Sequence, residues 1–573
     1  MTVLLTDNLP LLAGAPNGIK KLRELILELA ARGKLVPQDP NEEPASELLK
    51  RIAEEKARLV AEGKIKKQKP LAEVGEQAEP FELPAGWEWS SLVQVAFVNP
   101  RNAAADSLEV SFVPMTFIGT RFDDQHAQEP RLWGEVKQGF THFAEGDIGV
   151  AKITPCFENS KACVFSNLVN GLGAGTTELH IVRPVSGTLD PRYVLAYLKS
   201  PQFLLVGETK MTGTAGQKRL PKDFVEVNPF PLPPLAEQHR IVAKVDELMT
   251  LCDRLEAQQA DADSAHAQLV QALLDSLTQA HDAEDFAQSW QRLAEHFHTL
   301  FATESSIEAL KQTLLQLAVM GKLVPQDPSD EPASQLLKRI VEEKARLVAE
   351  RKIKKQEPLA KITEEEKLFE LANGWEWSRL GDQVIESGAG WSPSCEPRPR
   401  EDNDWGVLKV SAVSWGVYRP EENKALPVNL DARPEHEVTA GDFLVSRANT
   451  AELVARSVVV DATPRRLMLS DKIVRLRLTD LCDRHYVNVV NSAKHARQYY
   501  ARVAGGTSSS MKNVSREQIL SLPIALPPFA EQHRIVAKVD QLMALCDQLK
   551  ARLNQARQVH EQLASALVEQ AVA

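Results

Sequence analysis

Two short stretches in each half of this chain carry side chains suited to gripping a polyanion. In the first half, Gly146-Asp147 opens an apolar run, Ile148 to Ala151, that delivers Lys152 and then Thr154. In the second, Gly441-Asp442 opens Phe443 to Ser446, which delivers Arg447, Asn449 and Thr450. Farther on, one small-residue loop holds Thr214, Gln217, Lys218 and Arg219, and its counterpart holds Ser508, Ser509 and Lys512. Small side chains let a backbone approach phosphate, while Lys, Arg, Gln and Asn reach base edges. With Lys161, these residues make up the expected DNA-contacting set. Gln217 and Asn449 are expected to read bases, since an amide can bond adenine in two places. Lys218 and Lys512 are expected to anchor phosphates. Lys152 and Arg447 suit either role, with Arg447 the better candidate for guanine. The competing reading is of ordinary turns before the last helix of each domain.

Catalytic chemistry finds little support. Gly171, Gly173 and Gly175 are followed by the strand-like Thr177 to Val182, where a nucleotide-binding glycine motif needs a helix. No Gly-x-x-x-x-Gly-Lys-Ser/Thr phosphate loop occurs. Asn228-Pro229-Phe230 lacks the second proline of the Asn-Pro-Pro-Phe type of adenine methyltransferase motif. Asp124 with Glu135-Val136-Lys137 loosely resembles a metal-dependent nuclease core, but the second half has no counterpart. The six cysteines form no Cys-x-x-Cys pair and lack histidines at metal spacing, which disfavours zinc or a disulfide framework. Cys252 and Cys546 read as small core residues. No catalytic residue and no metal ligand is assigned.

With 573 residues, 43% of them apolar, the chain has material for several cores. No run of about 18 apolar residues could span a membrane. Met1 to Asp7 lacks the basic segment of a signal peptide, so a cytoplasmic protein is expected. The net charge of −11 opposes nucleic-acid binding at first sight. Its distribution weakens the objection. Residues 93–229 hold 13 Lys+Arg against 14 Asp+Glu, and residues 381–523 hold 19 against 18. The deficit lies in the other segments, and a reader of this kind is expected to borrow phosphate contacts from partner subunits.

The elements that must position these loops occur twice. Gly33-Lys34-Leu35-Val36-Pro37-Gln38-Asp39-Pro40 returns as Gly321 to Pro328, and the same shift of 288 carries Trp87-Glu88-Trp89-Ser90 onto Trp375-Glu376-Trp377-Ser378. Pro233 to Asp246 returns as Pro527 to Asp540 with only Leu235 changed, to Phe529. Between these blocks the two halves resemble each other faintly. Such an order suits two different readers held in a fixed relation, about a pseudo-two-fold axis.

Ile19, Leu22, Ile26 and Leu29 alternate three and four apart, as do Ile307, Leu310, Leu314 and Leu317. Each set makes one helix face, ending at Gly33 and Gly321. A second amphipathic helix is predicted from Ala45 to about Ala61. The basic Lys64 to Lys69, echoed at Lys352 to Lys355, reads as a solvated linker, with contact to DNA backbone or acidic partners as the alternative. Ile241, Val245, Leu248, Cys252 and Leu255 carry the clearest heptad spacing, matched by Ile535, Val539, Leu542, Cys546 and Leu549. These helices of about 45 residues, on the order of 65–70 Å long, are expected to pack on each other antiparallel and to space the readers. The variable segments read as mixed β, with strands at Ile181-Val182 and Ile473-Val474 and helices opening near Tyr193 and Tyr486. The expected fold class is α+β: two mixed α/β target-recognition domains separated by long antiparallel coiled-coil helices. The expected boundaries are a helical arm over 1–80, a first domain over 81–229, a central helical region over 230–368, a second domain over 369–523 and a C-terminal helix over 524–573.

Three segments carry a family resemblance: the turn that runs from Leu29-Ala30 through Gly33 to Pro40, the Gly86-Trp87-Glu88-Trp89 segment, and Pro231-Leu232-Pro233-Pro234-Leu235-Ala236-Glu237-Gln238-His239-Arg240-Ile241-Val242. Together they resemble the specificity subunit of type I restriction–modification systems, over nearly the whole chain from about Ile19. The resemblance implies that each recognition domain reads one half of a bipartite double-stranded DNA target. It implies that the helical regions set the spacer and dock two methyltransferase subunits. S-adenosylmethionine, ATP, magnesium and the nuclease would belong to the methyltransferase and restriction subunits, with no catalysis in this chain. The arms before each domain are long, which leaves room for an extra docking role. The alternatives are the specificity subunit of a related methyltransferase or nuclease system, a single-chain DNA-modifying enzyme, and a scaffold. A scaffold would not explain why the domains diverged while the arms stayed alike.

Overall fold

The computed structural model describes residues 9–62, 79–214, 216–401, 403–508 and 511–572. The chain divides into two compact units, residues 1–262 with 555–573, and residues 263–554. In the first unit the arm helix Gly18–Ala31 buries Ile19, Leu22, Ile26 and Leu29, as their spacing requires. It ends at Gly33, whose φ of +67° is the left-handed value that closes a helix, with the Lys34 amide donating to the Leu29 carbonyl at 2.9 Å. A Cβ there would stand 2.9 Å from the Trp87 ring, so one glycine both stops the helix and admits the tryptophan. Gly321 repeats the device after the arm helix Glu304–Val319, with φ +71° and Trp375 in the place of Trp87. The predicted second helix is Ala45–Ala61, and Ala333–Ala349 repeats it in the second unit. Lys64 to Lys69 lie outside the described residues, and Lys352 of the echo pairs with Glu350 at 2.8 Å.

Each unit also holds the start of a long exit helix: Leu235–Gln279, of 45 residues, or Phe529–Val572, of 44. In the first unit Ile241, Val245, Leu248 and Cys252 are buried, and Leu255 partly so, in one core with the arm-helix stripe and with Ala564 and Ala571 from the far end of the other exit helix. In the second unit Ile535 and Val539 pack with Leu315, Ala318 and Val319 of the arm helix. Cys546, with the partly buried Leu542 and Leu549, joins Ile307, Leu310, Leu314 and Leu317, and Val270, Leu274 and Leu277 from the end of the first exit helix. Within each unit the start of one exit helix thus lies beside the end of the other. The arm helix, rather than the other exit helix alone, supplies the opposing stripe, which refines the two-helix seam expected from the spacing.

Each sheet-rich domain hangs from a two-stranded antiparallel link, Glu88–Ser91 with Pro229–Leu232, or Glu376–Arg379 with Pro523–Leu526. Beyond it the first domain has a four-stranded sheet in the order Ala96–Val98, Leu179–Pro184, Ile148–Ala151, Ala162–Val164. The second domain repeats that order with Val384–Ala389, Ile473–Leu478, Phe443–Ser446 and Ser457–Val459. Both add a parallel pair, Glu109–Val113 beside Leu172–Gly175 and Gly406–Leu408 beside Leu467–Met468. The strands Ile148–Ala151 and Phe443–Ser446 are buried along their whole length, which fixes the point at which each chain emerges toward its loops. No described helix is long and apolar enough to cross a membrane.

Candidate nucleic-acid interface

In the first domain the buried strand Ile148–Ala151 runs out into Lys152, whose amide donates to the Glu178 carbonyl and whose carbonyl accepts from the Leu220 amide at 2.7 Å. The Thr154 amide donates to the Lys218 carbonyl at 3.0 Å, and the Lys218 amide donates back to the Thr154 hydroxyl at 3.1 Å. The two predicted loops therefore form one antiparallel hairpin surface, with Ile153 and Thr212 both bridged to Arg219. The second domain builds the same object. Arg447 donates its amide to the Lys472 carbonyl and accepts from the Val514 amide, each at 2.9 Å. Ala448–Asn449 then pairs with Met511–Asn513, which folds back on Gly505–Ser508. Lys152 and Arg447, Thr154 and Asn449, and Lys218 and Lys512 fall in register. Gly213 and Gly506 do so as well, with φ of +131° and +121°. A Cβ on Gly213 would lie 2.8 Å from the Gln217 carbonyl, and one on Gly506 would press into that of Met511. The hairpin fold alone requires both glycines.

Individual residues differ in what they have left to offer. Thr214, Gln217 and Lys218 are exposed at the tip. Arg219 is exposed too, but its guanidinium grips Glu178 through two bonds of 2.8 and 2.9 Å, and this holds the Glu178 carboxyl below its usual range. Thr154 is buried. Lys161 donates its amine to the Met115 carbonyl at 3.0 Å, so it braces a neighbouring loop. In the second domain Arg447 is half-buried and Thr450 exposed. The Lys512 amine donates to the Gly506 carbonyl at 2.8 Å. Asn449 is committed at both ends of its amide: Nδ2 donates to Ser414 Oγ, and Oδ1 accepts from the Thr450 amide, each at 2.8 Å. Ser508 pairs with Met511 through the backbone, and Ser509 lies outside the described residues.

The nuclease-like residues are not assembled. Lys137 is paired with Asp106 at 2.7 Å, and Asp124 accepts the Arg121 amide at 2.8 Å. Among the described residues no group of three or more His, Cys, Asp and Glu is placed to hold a metal ion.

What the sequence reading missed is a polar knot that seats each domain on its arms. Glu237, near the start of the exit helix, accepts from Trp87 Nε1 at 3.1 Å and from Gln38 Nε2 at 3.2 Å. Glu531 accepts from Trp375 and Gln326 at 3.0 and 3.2 Å. Burial raises both carboxyls above their ordinary values, against the pull of these donors. The next residue, Gln238 or Gln532, accepts from the amide of Asp190 or Asp483, which caps the domain's helix Pro191–Leu198 or Arg484–Ser492. Tyr193 and Tyr486, buried in those helices, donate to the Pro231 and Ala525 carbonyls of the link strands. Lys56 and Lys344 donate to the carbonyls that close the first turn of each domain, Val93, Gln94 and Ala96 or Gly381 and Asp382. The signal available was that polar residues, and not only apolar ones, survive in both copies.

A family model for the type I restriction modification DNA specificity domain matches residues 374–557. The chain is 54% identical over 558 residues to the type I restriction enzyme EcoEI specificity subunit of Escherichia coli, covering 97% of this chain and 94% of that one. It is 47% identical to the EcoAI specificity subunit of Escherichia coli, with the same coverage of both chains. A solved chain from a study of complex assembly and conformational transition of the type I R-M system is similar in fold, with a TM-score of 0.51 at 19% identity, over 86% of this chain and 99% of that one.

Proposed function

The chain belongs to the type I restriction enzyme specificity subunits, and on that footing we propose how its halves divide the work of recognising a DNA target. It is the DNA-recognition component and not a catalytic one. Each domain reads one half of a bipartite target through its hairpin surface, and the exit helices fix the spacer between half-sites. The helical regions dock two methyltransferase subunits, which with restriction subunits supply S-adenosylmethionine, ATP and magnesium chemistry.

One observation carries this reading: two domains of unlike sequence repeat the same strand order and hairpin register on frames that are nearly identical. A frame kept constant around changing surfaces is what independent readers need. In the first domain Gln217 is the best placed base reader and Lys218 the phosphate anchor. In the second, Arg447 suits guanine and Lys512 suits phosphate. Arg219, neutralised by Glu178, contributes least.

Selection from a random duplex library tests the reading, with the chain alone and with its methyltransferase subunits. The expected product is two short conserved blocks separated by a fixed number of unconserved positions. A single block, or binding without sequence preference, would refute it.

A further inference from the structure

Asn449 already spends one N–H on Ser414 and one lone pair on the Thr450 amide, so its amide is held in place within the second domain. Its partner Ser414 opens a tight loop after the turn Val410–Ala412, closed by the Arg419 amide on the Ala412 carbonyl at 3.0 Å. At the tip stand Trp415 and Val417, 56% and 63% exposed, on either side of Gly416 with φ +75°. Arg419 is exposed beside them. Counted from the equivalent turn Met115–Phe117, the matching loop of the first domain folds inward. Phe122 is buried there, and Arg121 is bonded to Asp253 of the exit helix. The outward tip is thus peculiar to the second domain, and the Asn449–Ser414 hydrogen bond ties it to the hairpin.

We propose that Trp415, with Val417, is a specificity-determining contact of the second domain, packing on a base in its half of the target, and that Asn449 is a positioning residue that holds the tip through Ser414. The proposal rests on the DNA-reading function above. Apolar side chains discriminate bases by contact with the thymine methyl group or by packing on exposed base surface. Two side chains at a loop tip match that scale. They fall far short of the roughly 800 Å² per partner that a stable protein interface buries.

The test repeats the library selection, in complex with the methyltransferase subunits, for the parent chain and for Trp415→Ala, Ser414→Ala and Asn449→Ala. Because Trp415 is largely exposed, its replacement leaves the fold intact, and the remaining positions of the second half-site staying sharp in the same selection confirm this. Trp415→Ala is expected to relax one or two adjacent positions of the second half-site and to weaken binding to the parent target about tenfold, within the range of one lost base contact. Ser414→Ala and Asn449→Ala should relax those same positions. If Asn449 read a base directly, Ser414→Ala would leave the position read by Asn449 sharp, and the positioning role would be overturned. A Trp415→Ala chain that keeps both half-sites sharp overturns the base contact, and a loss confined to methyltransferase assembly would assign the tip to protein docking instead. A parent chain that selects no bipartite target defeats the DNA-reading function itself, an outcome read before any variant is compared.

Discussion

The two recognition domains differ most where they face outward and least where they are fastened. Trp87, Gln38 and Glu237 make the same bonds as Trp375, Gln326 and Glu531, within about 0.1 Å. Arg240 meets Glu42 as Arg534 meets Asp330. On the hairpins, by contrast, Gln217 stands where Met511 does, and the first domain's Arg219–Glu178 pair has Asn513 in place of the arginine. The difference shows that the seat and the surface are physically separate. Buried polar residues that satisfy one another tolerate no piecemeal change, whereas an exposed hairpin held by backbone bonds accepts many side chains away from its two glycines.

The two units should respond most unequally at their helix seams. Leu248 is 3% exposed, but its counterpart Leu542 is only half-buried. Leu248→Asp should cost on the order of 4 kcal/mol in the first unit, by burying an unpaired carboxylate. Leu542→Asp should cost the second unit about half of that. Urea unfolding followed at each unit reads both, and equal losses would show that the seams are alike.

A sharper contrast is expected in acid. The His495 amide meets Gln316 in the second unit, as the Gln202 amide meets Glu28 in the first. The ring nitrogens of His495 have no partner, and burial lowers its pKa to about 4. The folded unit thus resists the proton that the unfolded chain accepts near pH 6.5. Stability is intact above that pH and falls as the pH drops toward 4, by about 3 kcal/mol at pH 4. His495→Gln should abolish this loss. An unchanged pH profile of the urea midpoint for that variant would assign the acid sensitivity elsewhere.

The knots should respond alike. Trp87→Phe and Trp375→Phe each remove one donor from a buried carboxylate, and each should cost about 1–2 kcal/mol in its own unit. A large disparity in melting shift would deny that the seats are equivalent. The smallest effects belong to the tips. Lys218→Ala and Lys512→Ala should each lower the salt slope of DNA binding by about one, and Arg219→Ala by visibly less.

Much of this architecture could be read in advance from periodicity. The stripes at Ile19 and Ile241, the helix stops at Gly33 and Gly321, and the strands through Ile181 and Ile473 are local patterns, and local patterns survive in a linear text. The knots could not be read that way, because Gln38, Trp87 and Glu237 meet only in the folded chain. The role of Asn449 was hidden for the same reason: its partner Ser414 lies 35 residues away on another loop. The hairpin register of Lys152 with Arg447 was legible because a buried strand dictates where each chain emerges. What each emerging side chain does depends on neighbours such as Glu178, which no spacing rule supplies.

If a constant seat carries independent readers, one domain can be exchanged for the other. Residues 89–231 are replaced by residues 377–525, cut at the registered pairs Trp89 with Pro231 and Trp377 with Ala525, and the chain is put through library selection with its methyltransferase subunits. The expected target is two copies of the second half-site, with the parent spacer kept. Retention of the parent target, or loss of all sequence preference by a chain that still folds and assembles, would contradict it.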